Sequence, residues 1–297
     1  MEVNDKSIVI GVLARDCADG VVRNKVRIEE LRKFFRESHV VIVENDSVDL
    51  TKQTIADYAA GSEGVSVISR DYAGQYPFHY EGRPYKQDMS CMRIARMSFF
   101  RNILLDYIRQ NYQSDYVMLL DIDLLDFSVK GIIEALANAP EGWGALLSNG
   151  REYMLSGGEV FPVCMQYDTY SLLFEGEKKE SIPMHFTSSF TKLWRGIRAN
   201  RHVQRTDYYR VLSAFGGIGI YKMSAIKDLR YDIFVPEAWK GRNISICEHI
   251  PFNTSITGDC YIARSLQTRY RIVSLAQKHI LRRRLLLYFF IICKRLR

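Results

Sequence analysis

The chain is 297 residues long, 47% hydrophobic and 25% charged, with a formal charge of +7. This length and apolar fraction support a packed core and exclude disordered, collagen-like and low-complexity chains. The charge is local: Lys278, Arg282, Arg283, Arg284, Lys294, Arg295 and Arg297 supply the whole excess, residues 1–277 are formally neutral, and no basic stripe on the globular part points to nucleic acid.

The first thirteen residues pass from acidic and polar side chains straight into an apolar run, without the basic, long-apolar layout of a secretory signal. Apolar runs at residues 8–13, 40–43, 65–68 and 116–120 predict strands. Between the first two, Val22, Val26, Ile28, Leu31, Phe34 and Phe35 recur at roughly helical spacing, and residues 51–58 and 92–112 predict two further helices. This alternation, with wholly apolar strands, indicates a mixed, mostly parallel α/β sheet of Rossmann-like type with helices on both faces. Residues 130–138 predict another helix, ended by Ala139-Pro140, and residues 143–147 another strand.

After Gly150 the helical periodicity fades. Aromatic and hydroxyl residues alternate over 167–174 and 186–194, residues 211–221 read as a strand containing Gly216, Gly217 and Gly219, and residues 243–247 read as another. The expected organisation is one domain over 1–277, with a 1–150 half and an irregular 151–277 half, followed by a tail at 278–297. The six cysteines form no C-x-x-C pair, which predicts free thiols in a reducing, cytoplasmic compartment.

The segment richest in chemistry runs from Asp115 to Asp123. Asp121 and Asp123 follow directly on a buried apolar strand, at the carboxyl end where open α/β sheets form their ligand crevice. Residues i and i+2 of an extended chain share a side, and two carboxylates suit a hard cation such as Mg²⁺ or Mn²⁺. Asp126 contributes or caps the next turn. Acids after a strand also commonly cap the following helix. A phosphatase reading of D-x-D-x-T fails because Leu125 occupies the Thr position.

This segment resembles the D-x-D of GT-A-fold glycosyltransferases, which use nucleotide-sugar donors. Ahead of it stand Val43-Glu44-Asn45-Asp46-Ser47 with Asp49 and Thr51, then Arg96 and Arg101-Asn102. Behind it stand Ala214-Phe215-Gly216-Gly217 and Cys247-Glu248-His249. The ordered set is similar to the fungal capsule-associated mannosyltransferase family and related bacterial polysaccharide enzymes. The resemblance implies that Ala14 and Arg15 line a nucleotide pocket and that Glu44, Asn45 and Ser47 meet base or ribose; an Asx-type turn capping the next helix explains those three equally well. It implies that Arg96 and Arg101 meet the diphosphate, for which the planar guanidinium is suited, and that Asp121 and Ile122 contact the nucleotide sugar. Asp121 and Asp123 would hold Mn²⁺ or Mg²⁺, with His249 completing the shell.

On the acceptor side the resemblance places Phe215, Gly216 and Gly217, whose glycines serve close approach to a sugar or to other backbone. Trp194 either stacks on an acceptor sugar or belongs to the core. Glu248 would act as general base in an inverting transfer or orient the donor sugar in a retaining one. The implied reaction moves a hexose from a nucleoside diphosphate sugar, GDP-mannose ahead of a UDP-sugar, to a glycan or lipid-linked saccharide. A non-catalytic membrane-docking scaffold on a degenerate α/β fold is the alternative. A nucleotidyltransferase would need a glycine-rich loop that residues 12–18 lack.

The apolar run at 285–293 is shorter than the roughly 20 residues of a helical membrane span. With its flanking cations it predicts a peripheral tail at an anionic cytoplasmic membrane surface; a packed terminal helix is the other reading.

Overall fold

The computed structural model describes residues 3–82, 89–156, 159–180 and 189–274; the basic tail and its expected membrane contact lie outside them. The chain lays down β1 (Ser7–Ala14), α1 (Ala18–Arg32), β2 (Glu37–Asn45), α2 (Thr51–Ala60), β3 (Val65–Arg70), α3 (Cys91–Asn111) and β4 (Tyr116–Asp121). After them come β5 (Asp126–Phe127), α4 (Val129–Ala137), β6 (Trp143–Ser156) and β7 (Glu159–Gln166). The remainder comprises α5 (Ser189–Arg205), β8 (Tyr208–Val211), β9 (Ile218–Lys222), short helices Met223–Ile226 and His249–Asn253, and β10 (Asp259–Ser274). Ten strands form one sheet in the order β3-β2-β1-β4-β9-β6-β10-β5, with β7 on β6 and β8 on β10. Strands β3, β2, β1 and β4 are parallel, as are β6 and β10, whereas β9 runs antiparallel between β4 and β6.

Strand alternation divides the core between the two faces of the sheet. Ile8, Ile10, Val12, Met118 and Leu120 point to the face that packs on Ile28 and Leu31 of α1, Ile55 of α2 and Ile132 of α4. Val9, Val117 and Leu119 point to the other face, against Leu104, Leu105 and Ile108 of α3. Ser90 and Ser128 start α3 and α4 as N-caps, each accepting a backbone N–H three residues on. Among the described residues no helix is long and apolar enough to cross a membrane, and Cys17, Cys91, Cys247 and Cys260 are free thiols.

Four expectations are corrected. The buried stripe of α1 is Val21, Asn24, Ile28 and Leu31, while Val22 and Val26 face outward. The expected strand at 211–221 is broken, because Gly216 and Gly217 adopt positive φ and turn the chain from β8 into β9. Residues 243–247 form no strand beyond a single bridge from Ile244 to Ser90. Residues 167–174 are a connection after β7, and the described part of 186–194 begins α5.

The register fixes one edge for the chemistry. Leu119 of β4 and Leu147 of β6 both pair with Gly219 of β9. Asp123 follows directly on the carboxyl end of β4, and Arg151 of β6 pairs with Arg269 of β10.

Candidate active site at the carboxyl edge of the sheet

The chain leaves β4 through a turn held from three directions. The Asp121 N–H donates to Gly217 O at 2.9 Å and the Leu125 N–H to Arg269 O at 2.8 Å. From below, the fully buried Asn24 Nδ2 donates to Ile122 O at 2.8 Å and Leu124 O at 2.7 Å. Helix α1 comes this close because Gly20 has no side chain: a Cβ there would stand 2.7 Å from Ile122 O. With Ile122 buried, Asp121 and Asp123 are left at the crevice. Asn24→Ala strands two buried carbonyls and is expected to cost about 1–3 kcal/mol in urea unfolding; Asn24→Asp, isosteric but lacking the donor, is expected to lose as much.

Around Asp121 the charges are predominantly negative. Burial, with the nearby Asp123, Asp168 and Glu248, outweighs Arg101 and pushes the Asp121 carboxyl up to about 8. Arg101 is buried, with Nε 3.2 Å from Glu248 Oε1 and a second nitrogen 3.9 Å from Asp121 Oδ1. Its guanidinium also lies over the rings of Phe215 and Tyr231, at 5.1 and 5.5 Å. Glu248 is buried just before the helix His249–Asn253, and its other oxygen receives Cys247 Sγ at 3.6 Å. The Asp168 carboxyl is raised by burial, although it accepts bonds from the Ser171 hydroxyl and N–H. Tyr270 stands close to Asp123 and stacks on Tyr167 with ring centres 3.7 Å apart.

The two loops beside this edge brace each other. Asp16 and Asp46 hold positive φ at the ends of β1 and β2. The Asp16 N–H donates to Ser47 Oγ at 3.1 Å, the Val48 N–H to Asp16 Oδ1 at 2.8 Å, and the Cys17 N–H to Thr51 Oγ1 at 2.7 Å. Glu44 is buried and accepts from the Ser47 N–H and the Ser69 hydroxyl. Glu44 and Ser47 are thus committed to shaping the loop. Asn45 Nδ2 donates to Asp46 Oδ2, and Asp46 also accepts from the Tyr72 and Ala73 N–H groups and the Tyr76 hydroxyl. Those bonds overcome its burial and hold its pKa down at about 2. Ala14 is buried, Arg15 is exposed beside Asp16 at 3.6 Å, and Arg96 lies over the Tyr76 ring.

Of the acceptor-side residues, Phe215 is buried against His249, ring centres 3.9 Å apart. A Cβ on Gly216 would stand 2.7 Å from Ser148 O, and one on Gly217 2.7 Å from Leu124 Cδ2. Both glycines therefore permit tight packing within the protein. Trp194 is exposed on α5 and away from the core.

The donor set fits a hard divalent cation held by one or two carboxylates, with substrate oxygens filling its remaining positions. It does not form an all-protein cage: among the described residues no three His, Cys, Asp or Glu side chains stand close enough to hold an ion. The expected third ligand, His249, is turned into the core. Its Nδ1 lies 3.3 Å from the Tyr231 hydroxyl and its Nε2 3.8 Å from Glu248 Oε1. Burial and the neighbouring Arg101 keep its pKa well below the usual histidine range.

Sequence reasoning missed Asn24, Asp168 and Tyr270. Asn24 carried a signal, an amide in phase with Val21, Ile28 and Leu31; the other two reach the site only through the fold.

No protein-family profile and no curated protein matches the chain. Solved structures do. Residues 1–349 of TarS from S. aureus are 14% identical, with a TM-score of 0.46 over 89% of this chain and 60% of that one. The mannosyltransferase PcManGT from Pyrobaculum calidifontis, in complex with GDP-Man and Mn2+, is 11% identical, with a TM-score of 0.45 over 89% of this chain and 56% of that one. Glucosyl-3-phosphoglycerate synthase from Mycobacterium tuberculosis is 13% identical, with a TM-score of 0.41 over 91% of this chain and 70% of that one. The chain thus spans less than two thirds of the first two structures.

Proposed function

We propose that the chain is a glycosyltransferase that moves a hexose from a nucleoside diphosphate sugar, GDP-mannose or a UDP-sugar, to a hydroxyl of a saccharide or lipid-linked acceptor. The observation that carries this reading is the excess of negative charge at the sheet edge: Asp121, Asp123, Asp168 and Glu248 gather there around the buried guanidinium of Arg101, with Arg23 of α1 acting on Asp123. Such a site gains from a cation that arrives with a diphosphate, because each neutralises part of the other. In the reaction the acceptor oxygen bonds to the anomeric carbon and the bond from that carbon to the diphosphate breaks. The leaving diphosphate takes the electron pair. Glu248, oriented by Arg101, receives the hydroxyl proton if the transfer inverts and orients the donor sugar if it retains; the anomer formed, read by NMR, separates the two. Asp121 and Asp123 would hold a Mn²⁺ or Mg²⁺ ion, which would supply Lewis-acid neutralisation of the departing charge.

Thermal unfolding with GDP or UDP, each with Mn²⁺, tests this. A nucleotide at 100 times its dissociation constant is expected to stabilise the fold by about 2.7 kcal/mol, and the effective base identifies the donor. No shift with either nucleotide favours the scaffold reading. The cation response has a pH signature. A cation must displace the Asp121 proton below about 8, so Mn²⁺ affinity is expected to rise up to about tenfold per pH unit between 6 and 8. Without cation the sign reverses: a carboxyl raised in the folded state stabilises the fold at low pH, and that contribution fades as pH climbs towards 8.

A further inference from the structure

A cavity lies beyond the D-x-D, lined by both residues of β5. It measures about 270 Å³ and is framed by Arg27 of α1, Arg151 of β6 and Arg269 of β10. Among the described residues that line it the only carboxylate is Asp126, which pairs with Arg269 at 3.5 Å, so three guanidinium groups stand there with one carboxylate. Three elements from distant parts of the sequence converge there. Arg269 and Asp126 face each other across the β10–β5 pair, and Arg269 is held over the Tyr153 ring at 4.7 Å. This volume falls below the roughly 300–1,000 Å³ of sites that enclose a whole small ligand, and it suits a single anionic group. Ser128, Arg151 and Gln267 also line an adjoining cavity of about 770 Å³, which adds Lys130 and Glu134 and the Arg264–Asp207 ion pair and has room for the rest of a larger molecule.

The cavity lies beside the D-x-D. Arg151 of β6 pairs in register with Arg269 of β10. Arg269 precedes Tyr270, which stands close to Asp123, and the Arg269 carbonyl anchors the Leu125 N–H. Guanidinium groups bind phosphate through paired N–H donors and never lose their charge near neutral pH. We infer that this cavity binds a phosphoryl group of the acceptor, which makes the acceptor a phosphorylated or phosphodiester-linked molecule. That the anion belongs to the acceptor rests on the glycosyl-transfer reading; that the cavity takes phosphate does not.

Calorimetric titration of the full chain with inorganic phosphate and with glycerol 3-phosphate tests it. Arg151→Gln and Arg269→Gln are each expected to weaken binding about tenfold, and Asp123→Asn, which removes a neighbouring negative charge, is expected not to weaken it. Arg269 is 44% exposed at its side chain, so its substitution tests the site even if Arg151→Gln fails to fold. Displacement of phosphate by phosphatidic acid vesicles, and not by phosphatidylcholine vesicles, assigns the group to a lipid headgroup. Displacement by glycerol 3-phosphate alone assigns it to a soluble acceptor. The inference is overturned by an absence of phosphate binding, by binding lost in Asp123→Asn but kept in both arginine variants, or by tighter binding of glucuronate than of phosphate. Loss of the nucleotide response with phosphate binding intact removes the transferase reading alone.

Discussion

Replacing Asp123 by Asn is expected to cut metal-dependent sugar transfer by about two to three orders of magnitude while the protein stays folded. The asymmetry follows from its position. Asp123 is exposed at the crevice, whereas the backbone on either side is fixed by Asn24, Gly217 and Arg269. Loss of its charge removes a cation ligand without removing a support of the turn. It also relieves Asp121 of a like-charged neighbour, so the Asp121 carboxyl moves down from about 8. The melting temperature without cation at pH 8 is therefore expected to hold or rise slightly, and the stabilisation by Mn²⁺ with nucleotide to disappear. Turnover of a labelled donor and calorimetric unfolding read the two effects separately. Full activity with undiminished Mn²⁺ dependence in Asp123→Asn would refute the assignment.

The D-x-D was legible because everything that positions it is local: a wholly apolar strand, Val117 to Leu120, ends at Asp121 within an α/β alternation. The same logic placed β1, β2, β3 and α3 within a few residues. It failed where backbone conformation depends on a distant partner. Gly216 and Gly217 sit inside an apolar run that reads as one strand, and only the approach of Ser148 and Leu124 shows why the chain turns there. In α1 the misleading residues were Val22 and Val26, apolar but exposed. The buried stripe contains Asn24 in place of a hydrophobe because two carbonyls of the turn need a donor. The resemblance makes Arg101 a phosphate ligand. In the fold its Nε meets Glu248, 147 residues away in sequence, and no spacing rule reaches that far. Asp168 had no signal at all, being one acid in an aromatic stretch until the fold brings it near Asp121.

The Arg101 and Glu248 pair also carries the largest expected effect on stability. Arg101→Met keeps an unbranched, apolar side chain of similar length but leaves Glu248 and Asp121 without their shared cation. Glu248 is 4% exposed at its side chain and Arg101 5%, so water cannot replace the lost partner, and the expected cost is about 3–5 kcal/mol. The loss should depend on pH. The Asp121 carboxyl, already raised by burial, rises further without Arg101, so protonation at low pH rescues the variant and rising pH destabilises it. Urea unfolding is therefore expected to show a larger deficit at pH 8 than at pH 5. Adding Glu248→Gln to Arg101→Met removes one of the stranded charges and should recover part of the stability, although transfer stays impaired. The double-mutant cycle measures the coupling directly. A deficit below about 1 kcal/mol, independent of pH, would mean that water reaches the pair and that Arg101 does not hold the carboxylates in place. A full deficit with partial recovery would identify the buried cation as the element that lets several acids share one crevice, leaving Asp121 and Asp123 with charge still to be matched by a ligand.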